Sequence, residues 1–182
     1  RGKSMRALIL DLRDNAGGLL DAAVGTCEMF LDGGTIVTIR GRDGEVRRTY
    51  EADGEPLLPK DVPLVVLVNH FSASASEIVA ACLQDHGRAK IAGQRTWGKG
   101  TVQNVIPLEA GRAALKLTTA SYWRPSGKNI HRLKDAPEEA EWGVRPDPGL
   151  EVKLTEEQAD AVRQARRRRY HVDGGPDDAS TK

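Results

Sequence analysis

Cysteine is scarce in this sequence, and its scarcity limits the kinds of structure that the chain can form. The chain has 182 residues but only two cysteines, Cys27 and Cys82. Two cysteines provide no disulfide framework, and no CxxC pair or His/Cys ligand spacing suggests a zinc site. Each cysteine lies in an apolar stretch with helical spacing. We therefore expect two buried free thiols, with one disulfide between them as the alternative.

Long apolar runs and an excess of charge are also absent. No stretch of about 20 apolar residues occurs, so no segment is predicted to span a membrane. The net charge is +1, which gives no electrostatic reason to expect nucleic acid or an anionic membrane as a partner. The arginine run 166–169 falls at the end of a predicted helix, where cations are favoured, and we interpret it as a solvated helix end.

What the sequence does contain is an alternation of strand-like and helix-like segments. The predicted strands cover residues 5–12, 35–40, 46–50, 64–68, 90–92, 101–107 and 113–122, and the predicted helices cover 19–31, 75–83 and 155–170. The apolar run 5–12 fits a strand that is buried on both faces. The strands 35–40 and 46–50 flank the turn 42–44 and are predicted to form a hairpin. A succession of strand, helix, strand and helix in the first half predicts an α/β core. The residues before the last helix, Thr155 to Gln158, have the form of a capping box. The polar residues 171–182 are predicted to be a disordered tail.

A glycine-bearing turn follows the first predicted strand. Gly17 and Gly18 stand between that strand and the next helix, and paired glycines permit unusual backbone angles and the close approach of another segment. Backbone N–H groups that are freed at such a turn could bind an oxyanion. On spacing alone, an ordinary tight turn is the better explanation.

The segment 72–77 (SASASE) follows the predicted strand 64–68. Ser74 and Glu77 fit the capping box S-x-x-E, with Ser74 as the N-cap of the next helix. This position puts the Ser74 hydroxyl at the positive end of a helix dipole and leaves the N–H of Ala75 among the unpaired donors of the first turn. The geometry suits a nucleophile whose oxyanion is held by the following N–H, although capping alone explains a serine here.

Residues 93–103 (GQRTWGKGTVQ) come close to the phosphate-binding pattern G-x-x-x-x-G-K-[ST]. Gly100 stands where that pattern requires Ser or Thr, and a strand is predicted after Lys99 where a helix is required, so nucleotide binding is not expected. A lysine flanked by glycines can instead be held in a partly buried site. Burial disfavours the charged amine and allows it to act as the general base for a serine. A solvated loop lysine is the alternative.

A conventional Ser-His-Asp arrangement is not apparent in the sequence. The chain has four histidines, which fit no known triad pattern, and the G-x-S-x-G motif is missing. His70 is nearest to Ser74 in sequence and would be the base of a conventional triad. Its position shortly before the predicted N-cap favours a role in the loop.

Taken in order, these segments resemble the C-terminal-processing peptidases, also called tail-specific proteases. The matching pieces are LILDLRDNAGGLL at 8–20, VLVNHFSASASEIVAACLQDHGRA at 66–89, AGQRTWGKGTVQ at 92–103, LKLTTASYWRPSGKNIH at 115–131 and GVRPD at 143–147. No single piece is decisive, but the ordered set is specific. The resemblance implies a serine endopeptidase that cleaves protein substrates near their C-terminal tails through a Ser–Lys dyad and an acyl-enzyme.

The resemblance assigns a role to each candidate residue. It makes Ser74 the nucleophile, Lys99 its general base and Gln103 the residue that supports the lysine. The implied oxyanion hole consists of the backbone N–H groups of Gly17 and Ala75. No metal and no organic cofactor are implied.

Two positions need a separate comment within this resemblance. Ala16 stands where the family usually has proline, and because the glycines beside it are intact we expect a looser turn with activity retained. Asp85 matches an aspartate that influences activity in some members, and we favour a structural role for it here.

The resemblance also implies a fold, a setting and partners. The expected fold is α/β, a crotonase/ClpP-like core with spiral β-sheet units and flanking helices, formed by residues 1–170. Family members usually carry a PDZ domain that binds the substrate's C-terminus by strand addition, and a strand and helix before LILDLR; neither is found in this chain. No signal peptide is apparent at the start, but Arg1 is not a natural initiator, so we expect a piece of a longer protein.

The expected partners are protein or peptide substrates bound in extended form, with no nucleic acid. Any membrane anchor would belong to an N-terminal segment outside this chain. By analogy with bacterial relatives, which are exported, we expect the periplasm or cell envelope; plant relatives lie in the thylakoid lumen.

Two other classes of function are weighed against a peptidase. A non-catalytic peptide-binding or scaffold domain on the same fold would be expected to lack Ser74 or Lys99, and this chain has both. An acyl-CoA-processing enzyme of the crotonase type uses backbone oxyanion holes but needs no Ser–Lys pair.

Overall fold

The computed structural model describes residues 5–109 and 112–170. Its helices and strands follow the predicted order closely. The strands are β1 (Leu8–Asp11), β2 (Gly34–Gly41), β3 (Val46–Ala52), β4 (Leu64–Val68), β5 (Lys90–Gly93), β6 (Thr101–Leu108) and β7 (Ala113–Trp123), and the helices are α1 (Leu20–Glu28), α2 (Ala75–Asp85) and α3 (Glu156–Tyr170). The mixed α/β class expected from the sequence is therefore confirmed.

A three-stranded parallel sheet holds the first strands of the chain, in the order β1–β4–β5. The central strand β4 buries alternate side chains, and Leu64, Val66 and Val68 are all at most 3% exposed. The prediction that strand β1 is buried on both faces is wrong, because Ile9 is 63% exposed. Strand β1 lies at the edge of its sheet, and no described segment covers its outer face.

The remaining strands form a four-stranded antiparallel sheet in the order β3–β2–β7–β6. The predicted hairpin between β2 and β3 is confirmed, and its turn closes with a hydrogen bond from the N–H of Gly44 to the carbonyl of Gly41 at 3.0 Å. Gly44 has a φ of 83°, a left-handed conformation that suits glycine. Strands β6 and β7 pair along their length and leave several apolar side chains exposed.

Helices α1 and α2 pack against each other and contribute much of the hydrophobic core. Both cysteines lie in this core and both are free and fully buried, as the sequence predicted. A hydrogen bond with Cys82, together with burial, raises the pKa of the Cys27 thiol. The neutral thiols therefore pack as small apolar groups.

The described chain divides into two compact units, the first ending at Glu151 and the second beginning at Val152. The second unit contains α3, whose start shows the predicted capping box. The N–H of Thr155 donates to the Gln158 side chain at 3.0 Å, and the N–H of Gln158 donates to the Thr155 hydroxyl at 3.2 Å. The assignment of residues 1–170 to one catalytic core stays a prediction, and the predicted tail 171–182 lies outside the described residues.

Within residues 5–109 and 112–170, no helix has both the length and the apolar composition needed to cross a membrane.

Candidate active site

The candidate nucleophile lies at a sharp turn between a strand and a helix. Strand β4 ends at Val68, and α2 begins at Ala75 with Ser74 as its N-cap. Ser74 has a φ of 58° and a ψ of −119°, a conformation that is unfavourable for a residue with a Cβ atom. Such backbone strain persists only where the surrounding contacts enforce it, and it is concentrated at functional sites.

Two turns are joined directly beside this serine. Strands β1 and β4 are parallel neighbours, so their carboxyl ends meet at the same edge of the sheet. The N–H of Asp14 donates to the side-chain oxygen of Asn69 at 2.9 Å, and the Asn69 amide donates to the Asp14 carboxylate at 2.8 Å. A backbone bond of 3.0 Å from Ala73 to Asn15 adds a third link. These bonds fix the glycine turn against the serine segment.

Gly17 makes the closest approach between the two turns. It has a φ of 95°, and a Cβ atom at this position would lie 2.6 Å from the Ala73 carbonyl, 2.8 Å from the Ala75 nitrogen and 2.9 Å from the Ser74 Cβ. Such distances leave no room for a side chain. The sequence rule that paired glycines permit a close approach therefore applies at Gly17, and it brings this residue against Ser74 and Ala75.

The donors proposed for the oxyanion hole differ in their present hydrogen bonds. The N–H of Gly17 donates to the side-chain oxygen of Asn15 at 2.9 Å. No acceptor among residues 5–109 and 112–170 pairs with the N–H of Ala75 or of Gly18. The Ala75 amide is thus available, whereas Gly17 would have to share its hydrogen with Asn15 or release it.

The loop that carries Lys99 is held by close contacts of the two flanking glycines. A Cβ atom at Gly98 would lie 2.7 Å from the Cβ of Arg132, and one at Gly100 would lie 2.3 Å from the nitrogen of His131. Close packing therefore explains why both positions are glycine, and a bound phosphate is not needed to explain them. The chain continues as strand β6, so the helix of a phosphate-binding loop is absent, as predicted. The Lys99 side chain is exposed, as in the solvated alternative given above, and it is not partly buried.

A buried carboxylate connects the serine to the lysine loop. Glu77 is fully buried, and one of its oxygens, Oε2, accepts the N–H of Ser74 at 2.9 Å and the N–H of Lys99 at 2.8 Å. The other oxygen, Oε1, accepts the Thr96 hydroxyl and the Gly98 N–H, each at 2.6 Å. A single side chain thus fixes the backbone of both candidate catalytic residues.

Burial raises the pKa of Glu77, even though four hydrogen bonds act in the opposite direction. All four partners are donors, and an ionised carboxylate is the form that can accept from every one of them. The sequence revealed only the bond with Ser74, through the capping box. The bonds with Thr96, Gly98 and Lys99 depend on a fold that brings distant segments together.

Gln103 lies apart from this network in the described structure. It is an exposed residue of β6, and its amide donates to the hydroxyls of Thr118 at 2.5 Å and Thr101 at 3.3 Å. No hydrogen bond to Lys99 is present among the described residues. The structure therefore brings together Gly17, Ser74, Ala75 and the Lys99 backbone, and places Gln103 against the neighbouring strand.

The other residues considered as catalytic candidates have different partners. His70 is exposed and pairs through Nδ1 with the Gln94 side chain at 3.1 Å, which is the loop role favoured by the sequence. Asp85 forms a bidentate ion pair with Arg124 at 2.6 and 2.9 Å and accepts a hydrogen bond from the N–H of Ser126 at 3.0 Å. These are the contacts of a residue that holds structure together.

Comparison with known proteins identifies the family to which the chain belongs. The model of Peptidase family S41 matches residues 1–148, which covers most of the chain and the whole of the site described above. The chain therefore belongs to Peptidase family S41, a family of serine-type peptidases.

Several relatives of the chain are C-terminal-processing proteases. The carboxy-terminal-processing protease of Bartonella bacilliformis is 45% identical over 153 residues, which are 84% of this chain and 32% of the relative. The carboxyl-terminal-processing protease of Picosynechococcus is 46% identical over 131 residues, 72% of this chain and 31% of that protein. The structure of the photosystem II D1 C-terminal processing protease matches with a TM-score of 0.71 and 40% identity, covering 81% of this chain and 35% of that one.

The resemblance to C-terminal-processing peptidases is confirmed by these matches. The chain spans about a third of the length of these relatives. The relatives include both bacterial and chloroplastic proteins.

Proposed function

We propose that this chain carries the catalytic dyad of a serine endopeptidase, with Ser74 as the nucleophile and Lys99 as its general base. The observation that supports the proposal best is the shared carboxylate oxygen of Glu77, which accepts the backbone N–H groups of both residues. This shared acceptor holds the backbones of the two residues close to each other. A nucleophile needs its base within hydrogen-bond reach, and in the unbound state that contact is often looser than during catalysis.

The proposed reaction proceeds through an acyl-enzyme. The Lys99 amine takes the proton from the Ser74 hydroxyl, and the serine oxygen attacks the carbonyl carbon of a peptide bond. The carbon–nitrogen bond then breaks, and Lys99 returns the proton to the leaving amine. Water attacks the acyl-enzyme, Lys99 again acts as base, and Ser74 is restored. Because Lys99 is exposed here, we propose that the bound substrate shields its amine from water and favours the neutral form.

The oxyanion of each tetrahedral intermediate would be held by backbone donors. The Ala75 N–H is free to donate, and Gly17 provides the second donor once Asn15 shares or releases its hydrogen. Ala16, which stands where the family usually has proline, lies beside this turn and would make the adjustment easier. One oxyanion donor contributes roughly 3–4 kcal/mol to lowering the barrier.

The setting of the enzyme is proposed by analogy. We propose a crotonase/ClpP-like core that cleaves flexible proteins near their C-terminal tails, with the substrate bound in extended form. The relatives are bacterial and chloroplastic processing proteases, which supports a location in the periplasm or cell envelope for this protein.

The dyad is tested by cleavage of an unfolded protein such as casein, or of a peptide with a labelled C-terminus, by the full-length protein. Ser74→Ala and Lys99→Ala should each lower kcat/KM by roughly 10⁴-fold or more, because either change removes a reacting group. Ser126→Ala and Lys134→Ala are matched controls at exposed positions and should retain wild-type rates. Wild-type turnover by either dyad variant, with the fold intact by circular dichroism, would show the assignment to be wrong.

The role of Gln103 is tested separately, because the structure places its side chain against Thr118. If Gln103 turns toward Lys99 when substrate binds, Gln103→Ala should lose activity in part, by about 10-fold to 100-fold. Thr118→Val removes the alternative partner and should leave the rate unchanged. An unaffected Gln103→Ala enzyme would remove Gln103 from the site.

A further inference from the structure

A polar cavity lies at the opposite end of helix α2 from Ser74. It has a volume of about 250 Å³, and its wall combines the end of α2, the turn after β7 and several residues of the segment 141–148. Because α2 has 11 residues, each of which advances the helix by about 1.5 Å, the cavity is separated from the serine by about 16 Å. It is therefore distinct from the proposed catalytic site.

Each carboxylate in the wall of this cavity already has a cationic partner. The pairs are Asp85–Arg124 at 2.6 Å, Asp147–Lys90 at 3.1 Å and Glu141–Lys128 at 3.0 Å. Asp85 and Asp147 are at most 16% exposed, and they also accept the backbone N–H groups of Ser126 at 3.0 Å and Ile91 at 2.8 Å. The acidic groups of the wall thus have little capacity left to bind a cation.

Arg124, in contrast, has unused hydrogen-bond donors. Its side chain is only 10% exposed, and its Nε and Nη2 groups donate to Asp85 and Gln84. The third nitrogen, Nη1, pairs with no residue in the described ranges 5–109 and 112–170, and it is not sealed from solvent. Since Arg124 lines the cavity, Nη1 is the part of the guanidinium that can contact a ligand there. Its position is fixed in advance by the bonds on the other two nitrogens.

A second guanidinium in the wall lacks an acidic partner. Arg145 donates from Nη2 to the carbonyl oxygens of Glu138 and Ala140, and no carboxylate of the described chain forms an ion pair with it. Its charge also acts on a neighbouring arginine, because burial and then the Arg145 charge lower the pKa of Arg95. The wall therefore has one positive charge that no described carboxylate balances.

We infer that this cavity binds the carboxylate of a small organic acid, with Arg124 and Arg145 as the donors. A guanidinium has the planar geometry that matches a carboxylate. An apolar cavity of roughly 150 Å³ holds a molecule as large as benzene, so about 250 Å³ has room for a short organic group beside the acid. Pro146 and Pro148 give that part of the wall apolar surface.

Two sources supply this chemistry: a free carboxylic acid and the C-terminal end of a peptide. A single negative charge suits the wall better than two, because the nearby Asp85 and Asp147 carboxylates would repel a dianion. The inference does not depend on the proposed function, since binding at this cavity requires neither Ser74 nor Lys99.

The test is titration calorimetry on the full-length protein carrying Ser74→Ala, so that a cleavage reaction cannot contribute heat. N-acetyl-L-alanine supplies the carboxylate, and N-acetyl-L-alaninamide is nearly the same molecule without the charge. The acid should bind in the millimolar range, and the amide should bind at least about 10-fold more weakly, because it cannot form a charge-assisted pair. Acetate distinguishes the two sources. A Kd equal to that of N-acetyl-L-alanine assigns the site to free small acids, a weaker one assigns it to peptide ends, and either result supports a carboxylate site.

The decisive variant is Arg145→Gln, because it removes the unbalanced charge at an exposed position and breaks no ion pair with a described residue. It should raise the Kd of N-acetyl-L-alanine by about 10-fold or more. Lys134→Gln removes an exposed cation outside the wall and should leave the Kd unchanged.

Three results would each overturn the inference: no binding of N-acetyl-L-alanine, equal Kd values for the acid and the amide, or a wild-type Kd in Arg145→Gln. Binding that persists in Arg145→Gln would place the acid elsewhere on the protein. None of these results bears on the Ser74–Lys99 dyad, which is tested by cleavage.

Discussion

At the scale of single residues, the site depends on a carboxylate that is not itself a candidate for the chemistry. Glu77 accepts hydrogen bonds from Ser74, Thr96, Gly98 and Lys99. Sequence alone identified this glutamate as the partner of Ser74 in a capping box, since that pattern is local. It could not show that the same oxygen holds Lys99, because a contact across 22 residues depends on how β5 and its following loop pack against α2.

Replacing the Glu77 carboxylate by an amide should therefore disturb the positions of Ser74 and Lys99 more than it disturbs substrate binding. In the wild type, each of the two carboxylate oxygens accepts two hydrogen bonds. Glu77→Gln replaces one of these oxygens by an NH₂ group, which donates hydrogen bonds. The Ser74 and Lys99 backbones should shift apart, and displacement of reacting groups by about 1 Å costs roughly 100-fold in rate. We expect kcat to fall by about that factor while KM changes little, measured on a peptide substrate at a temperature where the variant is folded.

Glu139→Gln provides the control, because Glu139 is exposed and lies outside the network. The Glu139→Gln enzyme should keep the wild-type kcat and KM. A Glu77→Gln enzyme with wild-type kcat and only a lower unfolding temperature would show that Glu77 supports the fold but does not position the dyad.

At the scale of secondary-structure elements, α2 is anchored at both ends. Its first turn is held through Glu77, and its last residue, Asp85, pairs with Arg124, which directly follows β7. The two side chains of this ion pair are only 12% and 10% exposed. Burial alone would raise the pKa of Asp85, but the Arg124 guanidinium and the Ser126 amide outweigh it and hold the pKa below its ordinary value of 3.8.

This ion pair should make stability depend on pH in a defined direction. Because the pKa of Asp85 is lower in the folded chain than in the unfolded chain, its contribution is complete above the unfolded value and is lost as the pH falls through the folded value. At pH 7, Asp85→Asn leaves Arg124 charged without its partner and should destabilise the protein by about 3 kcal/mol. The difference from wild type should narrow below about pH 4, as measured by urea unfolding at each pH.

Asp53→Asn, at an exposed position, should be close to neutral across the same range. A constant difference between wild type and Asp85→Asn from pH 7 to pH 3 would mean that the lost charge is not the cause of the destabilisation.

The elements themselves were largely predictable, for a physical reason. Apolar alternation and turn residues act locally, so the positions of α2, β4 and the β2–β3 hairpin could be inferred from short windows of sequence. The exposure of β1 could not, because burial of an edge strand depends on what packs beside it. The choice between a partly buried and a solvated Lys99 could not be made for the same reason, since flanking glycines show close backbone packing but not which side chains cover the lysine.

At the scale of the whole molecule, two independent boundaries nearly coincide. The family model ends at residue 148, and the first compact unit ends at Glu151. All of the candidate site residues lie in this first unit. Helix α3 belongs to the second unit.

Deleting residues 155–182 should therefore leave the first unit intact. We expect the midpoint of thermal unfolding to change by less than about 2 °C, which for a chain of this size corresponds to under about 1 kcal/mol.

Deleting residues 144–182 is the matched comparison, because it also removes Val144, which is fully buried and donates its N–H to the Thr96 hydroxyl at 2.8 Å. Thr96 in turn donates to Glu77, so this longer deletion should lower the midpoint strongly and abolish cleavage of peptides. Equal losses of stability in the two deletions would show that α3 is part of the catalytic core, as the assignment of residues 1–170 to one domain predicts.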